Sequence, residues 1–286
     1  MKIALGTVQF GLAYGVANKA GRVPQSSVAN IINVARAAQI EVLDTAAAYG
    51  ASEKVLGING VEGFNVVSKL PPRPENIRDL KLWVVNSIER SLINLKCESL
   101  YGVLMHRPLD LLAHDGDRIW EALLERKKAG LVRKVGVSVY GPDDLDRLKD
   151  FDFDMVQAPM NIIDRRIESS GWLERLNRKG VEVHVRSAFL QGLLLMPKNR
   201  RPEYFKSWSG LLSEYDAWIR GEGLSPLEAC LGFLNGISGV DNVVVGVDSP
   251  GQLEEIVSAS TGVEISVPAS IQSNDPELIN PSLWQL

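Results

Sequence analysis

The stretch EVLDTAAAYGASEKVLG, residues 41–57, runs from a short apolar segment through a loop into a helical pattern. The apolar run ends in Asp44, and Tyr49, followed at once by Gly50, comes five residues later. A carboxylate and a phenol therefore stand where a strand stops and a helix begins. Alone, such a pair reads as a turn aspartate and a half-buried tyrosine, so the rest of the chain has to decide.

Working outward, the same strand-then-helix unit recurs from end to end. β-rich runs occupy 2–8, 41–44, 64–69, 100–106, 134–139, 154–159, 181–186 and 242–247. Between them lie amphipathic segments. Val28, Ile31, Ile32 and Ala35 mark one helical face, and Ile77, Leu80, Val84, Ile88, Leu92 and Leu95 mark a longer one. Ser225-Pro226-Leu227-Glu228 carries a capping hydroxyl, a proline at the first helical position and a glutamate at the third. Pro142-Asp143-Asp144 opens another helix with negative charge at the positive end of its dipole. Alternation of this kind implies parallel strands joined by right-handed crossovers. An open doubly wound sheet and a closed barrel both satisfy it. Eight strands, and no GxGxxG turn after the first, favour closure into a single-domain (β/α)8 TIM barrel over residues 1–286. One irregular region, about 190–222, reads as a long βα loop with an extra helix.

Composition narrows the class. At 286 residues, 45% hydrophobic and 23% charged, with a net charge of −4, the chain reads as globular, without the basic footprint of a nucleic-acid or membrane-surface protein. Arg165-Arg166 and Asn199-Arg200-Arg201 read as solvated faces. Cys97 and Cys230 are far apart, with no CxxC and no metal-like His/Cys grouping, which suits a reducing compartment. Cys230 reads as a core residue. The opening MKIALGTVQFG reads as a strand entering a loop, and no apolar run of membrane-spanning length follows, so a cytoplasmic location is expected.

In a barrel of this type the C-terminal ends of the strands form the catalytic face. Asp44 ends the second strand with Tyr49 in its loop, Lys69 ends the third, and His106 ends the fourth. A free phenol ionises near ~10 and is a poor proton donor at neutral pH, but an adjacent ammonium favours the phenolate. Asp44 would keep Lys69 charged, and His106 could orient a carbonyl oxygen beside the phenol. The set holds neither a nucleophile with a partner base nor metal ligands. It suits protonating an oxygen while something else delivers hydride.

LDTAAAYGASEKVLG followed in order by VVSKL, LMHRP, VGVSVY, VQAPMN and VRSAFLQGLL resembles the aldo-keto reductase superfamily. The similarity runs from GTVQFG near the start to VVVGVDSPGQLEEI near the end. The resemblance implies the same barrel and reduction of an aldehyde or ketone by NADPH or NADH, bound extended without a Rossmann domain. Tyr49 would be the general acid, with Lys69 and Asp44 tuning it and His106 orienting the carbonyl. Ser138 and Gln157 would hold the nicotinamide carboxamide, with Thr7 nearby. Arg186, Ser187, Phe189 and Gln191 belong to the segment that would cover the pyrophosphate. Gly246, Asp248, Ser249 and Gln252 belong to the loop that would grip the adenosine end.

Three departures bear on the cofactor. Val139 stands where the family usually has asparagine, removing one carboxamide hydrogen bond. Arg186 stands where many relatives stack an aromatic ring, and its charge disfavours the cationic, oxidised nicotinamide. The GVDSPGQ loop carries no basic side chain, and Asp248 would repel a 2′-phosphate while accepting from a free 2′-hydroxyl. That favours NADH, whereas the family default is NADPH.

Other features read as structural. Glu182 and His184 should hydrogen-bond inside the barrel, His114 should be exposed, and Tyr204, Phe205 and Trp208 should pack. Phe10 and Tyr14 suit either the rim or a substrate pocket. The ending ELINPSLWQL suggests no long tail over the pocket, hence an open mouth suited to a sugar or sugar derivative. Two other classes remain: a cofactor-binding sensor with little turnover, and an aldolase-type barrel with Lys69 as a Schiff-base lysine.

Overall fold

The computed structural model describes all 286 residues, Met1–Leu286. Its eight strands are β1 (Ile3–Gly6), β2 (Val42–Asp44), β3 (Asn65–Leu70), β4 (Leu100–Met105), β5 (Val132–Ser138), β6 (Met155–Pro159), β7 (Glu182–Arg186) and β8 (Asn242–Gly246). They are parallel, pair in chain order and close through β1 against β8. The crossovers are α1 (Gln25–Ala37), α2 (Ser52–Asn59), α3 (Leu80–Leu95), α4 (Asp117–Lys128), α5 (Pro142–Arg147) and α6 (Trp172–Arg178). Then come α7 (Ser209–Glu222) and α8 (Pro226–Asn235), both before β8, and α9 (Pro250–Ser260) after it. The chain is thus a single-domain (β/α)8 barrel.

Strand alternation divides each strand between two cores. Leu5, Leu43, Val66, Val103, Val137, Val156, Val183 and Val243 face outward into the layer shared with the helices. Ala4, Val42, Val67, Leu104 and Met155 face inward and form a small apolar layer across the barrel. Below it lies a polar plug. Tyr101 donates to Glu182 at 2.6 Å, Lys134 pairs with the same carboxylate, and His184 Nε2 meets Glu182 Oε1 at 2.5 Å. Burial opposes the charge on Glu182, but the bonds from His184, Lys134 and Tyr101 hold its pKa down to about 2. His184 is therefore a structural residue of the barrel floor.

Local signals set the helix ends. Ser225 and Glu228 form the reciprocal capping box at the start of α8, and the Asp79 side chain caps α3 by accepting from Leu82 N. The 190–222 region resolves into three 3₁₀ segments, Leu190–Leu195, Lys198–Arg200 and Glu203–Trp208, followed by α7. Phe205 packs edge-on to Trp284 at 4.8 Å, and Trp208 Nε1 donates to Asp275. Two basic clusters differ from the solvated faces expected of them. Arg201 makes a bidentate bond to Asp216, with its side chain only 7% exposed. Arg166 pairs with Asp164, and Arg165 donates to the carbonyls of Ile162, Pro268 and Ile271. Long-range loop packing supplies these partners. Cys230 lies in the core, where burial pushes its thiol up to about 12.

Two glycines fix the loop that carries Tyr49. A Cβ on Gly11 would lie 1.8 Å from the Tyr49 carbonyl oxygen and 2.6 Å from Ser52 N. Gly50 has φ +57°, and its own Cβ would meet the Gly11 carbonyl oxygen at 2.7 Å. The loops after β1 and β2 touch backbone to backbone, an approach only glycine permits. Gly11→Ala should therefore force the loops apart and lower stability by about 1–3 kcal/mol. A urea midpoint equal to that of the unmodified chain would refute this contact.

Candidate active site

Two residues above the inner apolar layer, several strands present one more inward position at the C-terminal mouth. Val42 is followed on that face by Asp44, Val67 by Lys69, Leu104 by His106 and Met155 by Gln157, and on β7 Arg186 follows His184 of the polar cluster. The side-chain period of two thus gathers residues distant in sequence into a single polar layer. Register brings them level, with Gly6 opposite Asp44 and Ser138 opposite Gln157.

At its centre Lys69 Nζ donates to Asp44 Oδ1 at 2.6 Å and to the Thr45 carbonyl at 3.0 Å. Both side chains are nearly sealed, at 1% and 4% exposure. Burial works against the ammonium, yet Asp44 first, and then Tyr49, outweigh it, holding Lys69 above the usual lysine value. Gln157 Nε2 donates to the other carboxylate oxygen, Asp44 Oδ2, at 2.7 Å. Thr7 donates through both its backbone N–H and its hydroxyl to the Asp44 carbonyl, and Ser52 donates to the Thr7 carbonyl.

Tyr49 lies over this pair. Lys69 Nζ sits 5.1 Å from the Tyr49 ring centroid. The His106 ring meets Tyr49 edge-on, with centroids 5.7 Å apart and planes at 84°. Burial first, then the charges of Lys69 and Arg186, lower the His106 pKa to about 4. At neutral pH His106 is therefore an uncharged imidazole, with one nitrogen a donor and the other an acceptor.

These residues open into a cleft of about 560 Å³. Thr7, Asp44, Tyr49, His106, Ser138 and Gln157 line it. Ser187, Phe189, Gln191, Gly246, Asp248 and Gln252 line it as well, with Gly246 level with Gly6 across the β1–β8 seam. Ser187, Leu190 and Gln191 all adopt positive φ, an unusual run for non-glycine residues. Ser138 Oγ approaches Gln157 Oε1 at 3.3 Å. Two sequence candidates are placed differently from expectation. Ser249 is not among the residues lining the cleft, and its hydroxyl accepts from Gln252 N as the cap of α9. Arg186 does line it, but its guanidinium lies 4.9 Å from the Tyr140 ring centroid and donates to the Val139 carbonyl. Phe10 is core, whereas Tyr14 lines the cleft with its hydroxyl held by Gln191 Nε2.

Several lining residues were not among those singled out from the sequence. Asn18 reaches across from the loop after β1 to donate to Asp248 Oδ1 at 3.1 Å, over a separation of 230 residues. Gln9, Tyr140 and Glu255 also face the cleft, and Gln9 Oε1 is buried without a partner. Pro281 and Ser282 reach the wall as well, so the C-terminal segment borders the mouth expected to be open. The GTVQFGLAYG opening could have pointed to Gln9, whereas Asn18 and Glu255 are ordinary surface types.

The lowered His106 pKa has a sign that stability measurements can read. Between pH about 6.5, its unperturbed value, and about 4, the unfolded chain binds a proton that the folded chain does not. Stability should fall as pH drops through that window and level off below it, by on the order of 2–3 kcal/mol. His106→Asn should flatten this part of the profile of urea midpoint against pH. An unchanged acid slope in that variant would assign the loss to other groups.

The profile of the aldo/keto reductase family matches residues 2–268. A D-galacturonate reductase from Fragaria ananassa is 33% identical over an alignment of 150 residues that covers 45% of this chain and 46% of that protein. Rhazimal reductase 2 from Alstonia scholaris is 28% identical over 200 residues, 61% of this chain and 54% of that protein. The matched part thus spans about half the length of these relatives. An aldo-keto reductase from Bacillus halodurans, in its holo form, superposes with a TM-score of 0.73 at 21% identity, covering 93% of this chain and 88% of that one. That likeness is one of fold. The family match spans almost the entire barrel, including every strand that supplies the polar layer, and the chain belongs to the aldo/keto reductase family.

Proposed function

We propose that the chain is an NAD(P)H-dependent carbonyl reductase in which Tyr49 supplies the proton. The observation that carries this reading is the sealed Lys69–Asp44 pair beneath the Tyr49 ring, with neutral His106 on its edge at the cleft mouth. A phenol beside a permanent ammonium can release a proton to an oxygen that is gaining charge. An uncharged His106 can donate an N–H to the same oxygen and hold the carbonyl against the phenol. Lys69 is engaged and held protonated, which counts against its attack on a carbonyl as a Schiff-base lysine.

The lining fits an extended nicotinamide dinucleotide. The cleft volume lies within the ~300–1,000 Å³ of small-molecule and cofactor sites. The Ser138 hydroxyl and Gln157 amide suit a carboxamide, and Gln9 Oε1 is a buried acceptor still without a donor. When bound, the reduced nicotinamide supplies the hydride. The chain's own residues orient the carbonyl and deliver the proton. A sugar or sugar-derived carbonyl compound is the substrate class we favour, supported by the polar lining and by the D-galacturonate reductase among the relatives. Replacing Tyr49 by Phe should abolish aldehyde-dependent NAD(P)H oxidation while cofactor affinity stays within about threefold. Full turnover in that variant would remove Tyr49 from the role.

Cofactor choice follows from charge. Asp248 and Glu255 both line the cleft, and Arg186 is its single Lys or Arg. A 2′-phosphate held beside Asp248 and Glu255 would meet two carboxylates, whereas a free 2′-hydroxyl can donate to Asp248. NADH should bind at least tenfold more tightly than NADPH in tryptophan-fluorescence titrations, and Asp248→Ala should narrow the gap. Tighter NADPH binding by the unmodified chain would reverse the assignment.

A further inference from the structure

Arg186 is a cation without a counter-ion, unlike several other partly or fully buried cations of the chain. Arg166 and Arg201 are matched to Asp164 and Asp216, and Lys69 to Asp44. The Arg186 guanidinium has only neutral acceptors, the Val139 carbonyl at 2.9 Å and the Ser187 hydroxyl at 3.3 Å. A guanidinium has five N–H donors in a planar fork, so several remain unspent. Its plane is pinned from three sides: by the Tyr140 ring, by the end of β5 through Val139, and by its own position at the end of β7.

This cation belongs to the chemistry of the cleft. It lies on the inner face beside the mouth residues, and its charge contributes to the depressed pKa of His106. Burial raises the Tyr14 phenol, and Arg186 pulls against that rise. Tyr14 and Tyr140 line the same cleft and add two hydroxyl groups, and Tyr14 lies close enough to Arg186, Tyr49 and Tyr140 to feel their charges. A partly buried, unpaired and preorganised guanidinium costs desolvation energy that an anionic ligand recovers.

Taking the reductase reading as its basis, we propose that Arg186, with Tyr14 and Tyr140, forms an anion subsite selecting carbonyl substrates that carry a carboxylate. The carbonyl then faces Tyr49 and His106 while the acid group engages the free edge of the guanidinium. Arg186 sets which carbonyl compounds are accepted, and Tyr49 acts on all of them alike. The same charge could instead meet the cofactor's pyrophosphate, since the adjoining 187–192 segment lines the cleft. The two sources of anion are separable by experiment.

The test uses the full chain with two aldehydes of similar reactivity, 4-carboxybenzaldehyde and its neutral ester methyl 4-formylbenzoate. The acid should exceed the ester in kcat/KM by at least about tenfold, with the advantage in KM and shrinking as salt rises. Arg186→Gln should bring the acid/ester ratio close to one. A ratio that Arg186→Gln leaves unmoved overturns the subsite. If the variant instead weakens both aldehydes alike, and weakens NADH in a fluorescence titration by the same factor, Arg186 serves the cofactor's phosphates and the proposal fails. Calorimetry with 4-(hydroxymethyl)benzoate reads anion binding without turnover. Arg186-dependent binding with neither aldehyde reduced would overturn the reductase reading and keep the anion subsite. No Arg186-dependent binding of this anion would overturn the subsite whatever the turnover.

Discussion

The ion pair between Lys69 and Asp44 constrains everything at the mouth of the barrel. Two charges almost withdrawn from water are tolerable only when each remaining donor and acceptor is used. The Thr45 carbonyl takes a second Lys69 proton, and Gln157 covers the second Asp44 oxygen. Thr7 and Ser52 then lock the backbone that carries Asp44. Strands β1, β2, β3 and β6 are bound together through this one pair. Removing either charge would strand the other in a dry site, a far larger penalty than the loss of an exposed ion pair.

The barrel interior is built in storeys, each with its own physical task. The floor is a hydrogen-bonded cluster around Glu182, the middle is apolar, and the top is the polar layer. The same two-residue step that puts Val67 in the middle storey puts Lys69 above it. Likewise Leu104 dictates where His106 points. Packing of the middle storey therefore sets the height and direction of the site residues. Tyr49 is different, because it stands on a loop. Its position comes from the glycine contact between the first two βα loops rather than from the sheet.

The cleft holds charges of both signs. Arg186 acts on His106 through its charge, and Asp248 and Glu255 add two carboxylates to the lining. His106, kept neutral by burial and by two nearby cations, adds donors without adding charge. Such an arrangement favours negative charge on a ligand near Arg186 and resists it near Asp248 and Glu255. The Asn18–Asp248 bond also ties the first βα loop to the last one across the cleft.

Eight strands, their parallel order and the convergence of Asp44, Tyr49, Lys69 and His106 were legible in the sequence, because each depends on local rules. A period of two assigns faces, capping residues mark helix starts, and strand ends define the mouth of a closed barrel. The cleft's cross-links were not legible. Gln157 to Asp44, Asn18 to Asp248, Arg186 on Tyr140 and Arg201 to Asp216 join positions that no short-range pattern relates. Ser249, expected at the cleft, caps α9 through its hydroxyl. What the sequence by itself determined is the architecture and the residue types delivered to its rim. Which of those side chains pair with each other, and which remain free to meet a ligand, was decided only when barrel closure brought distant loops into contact.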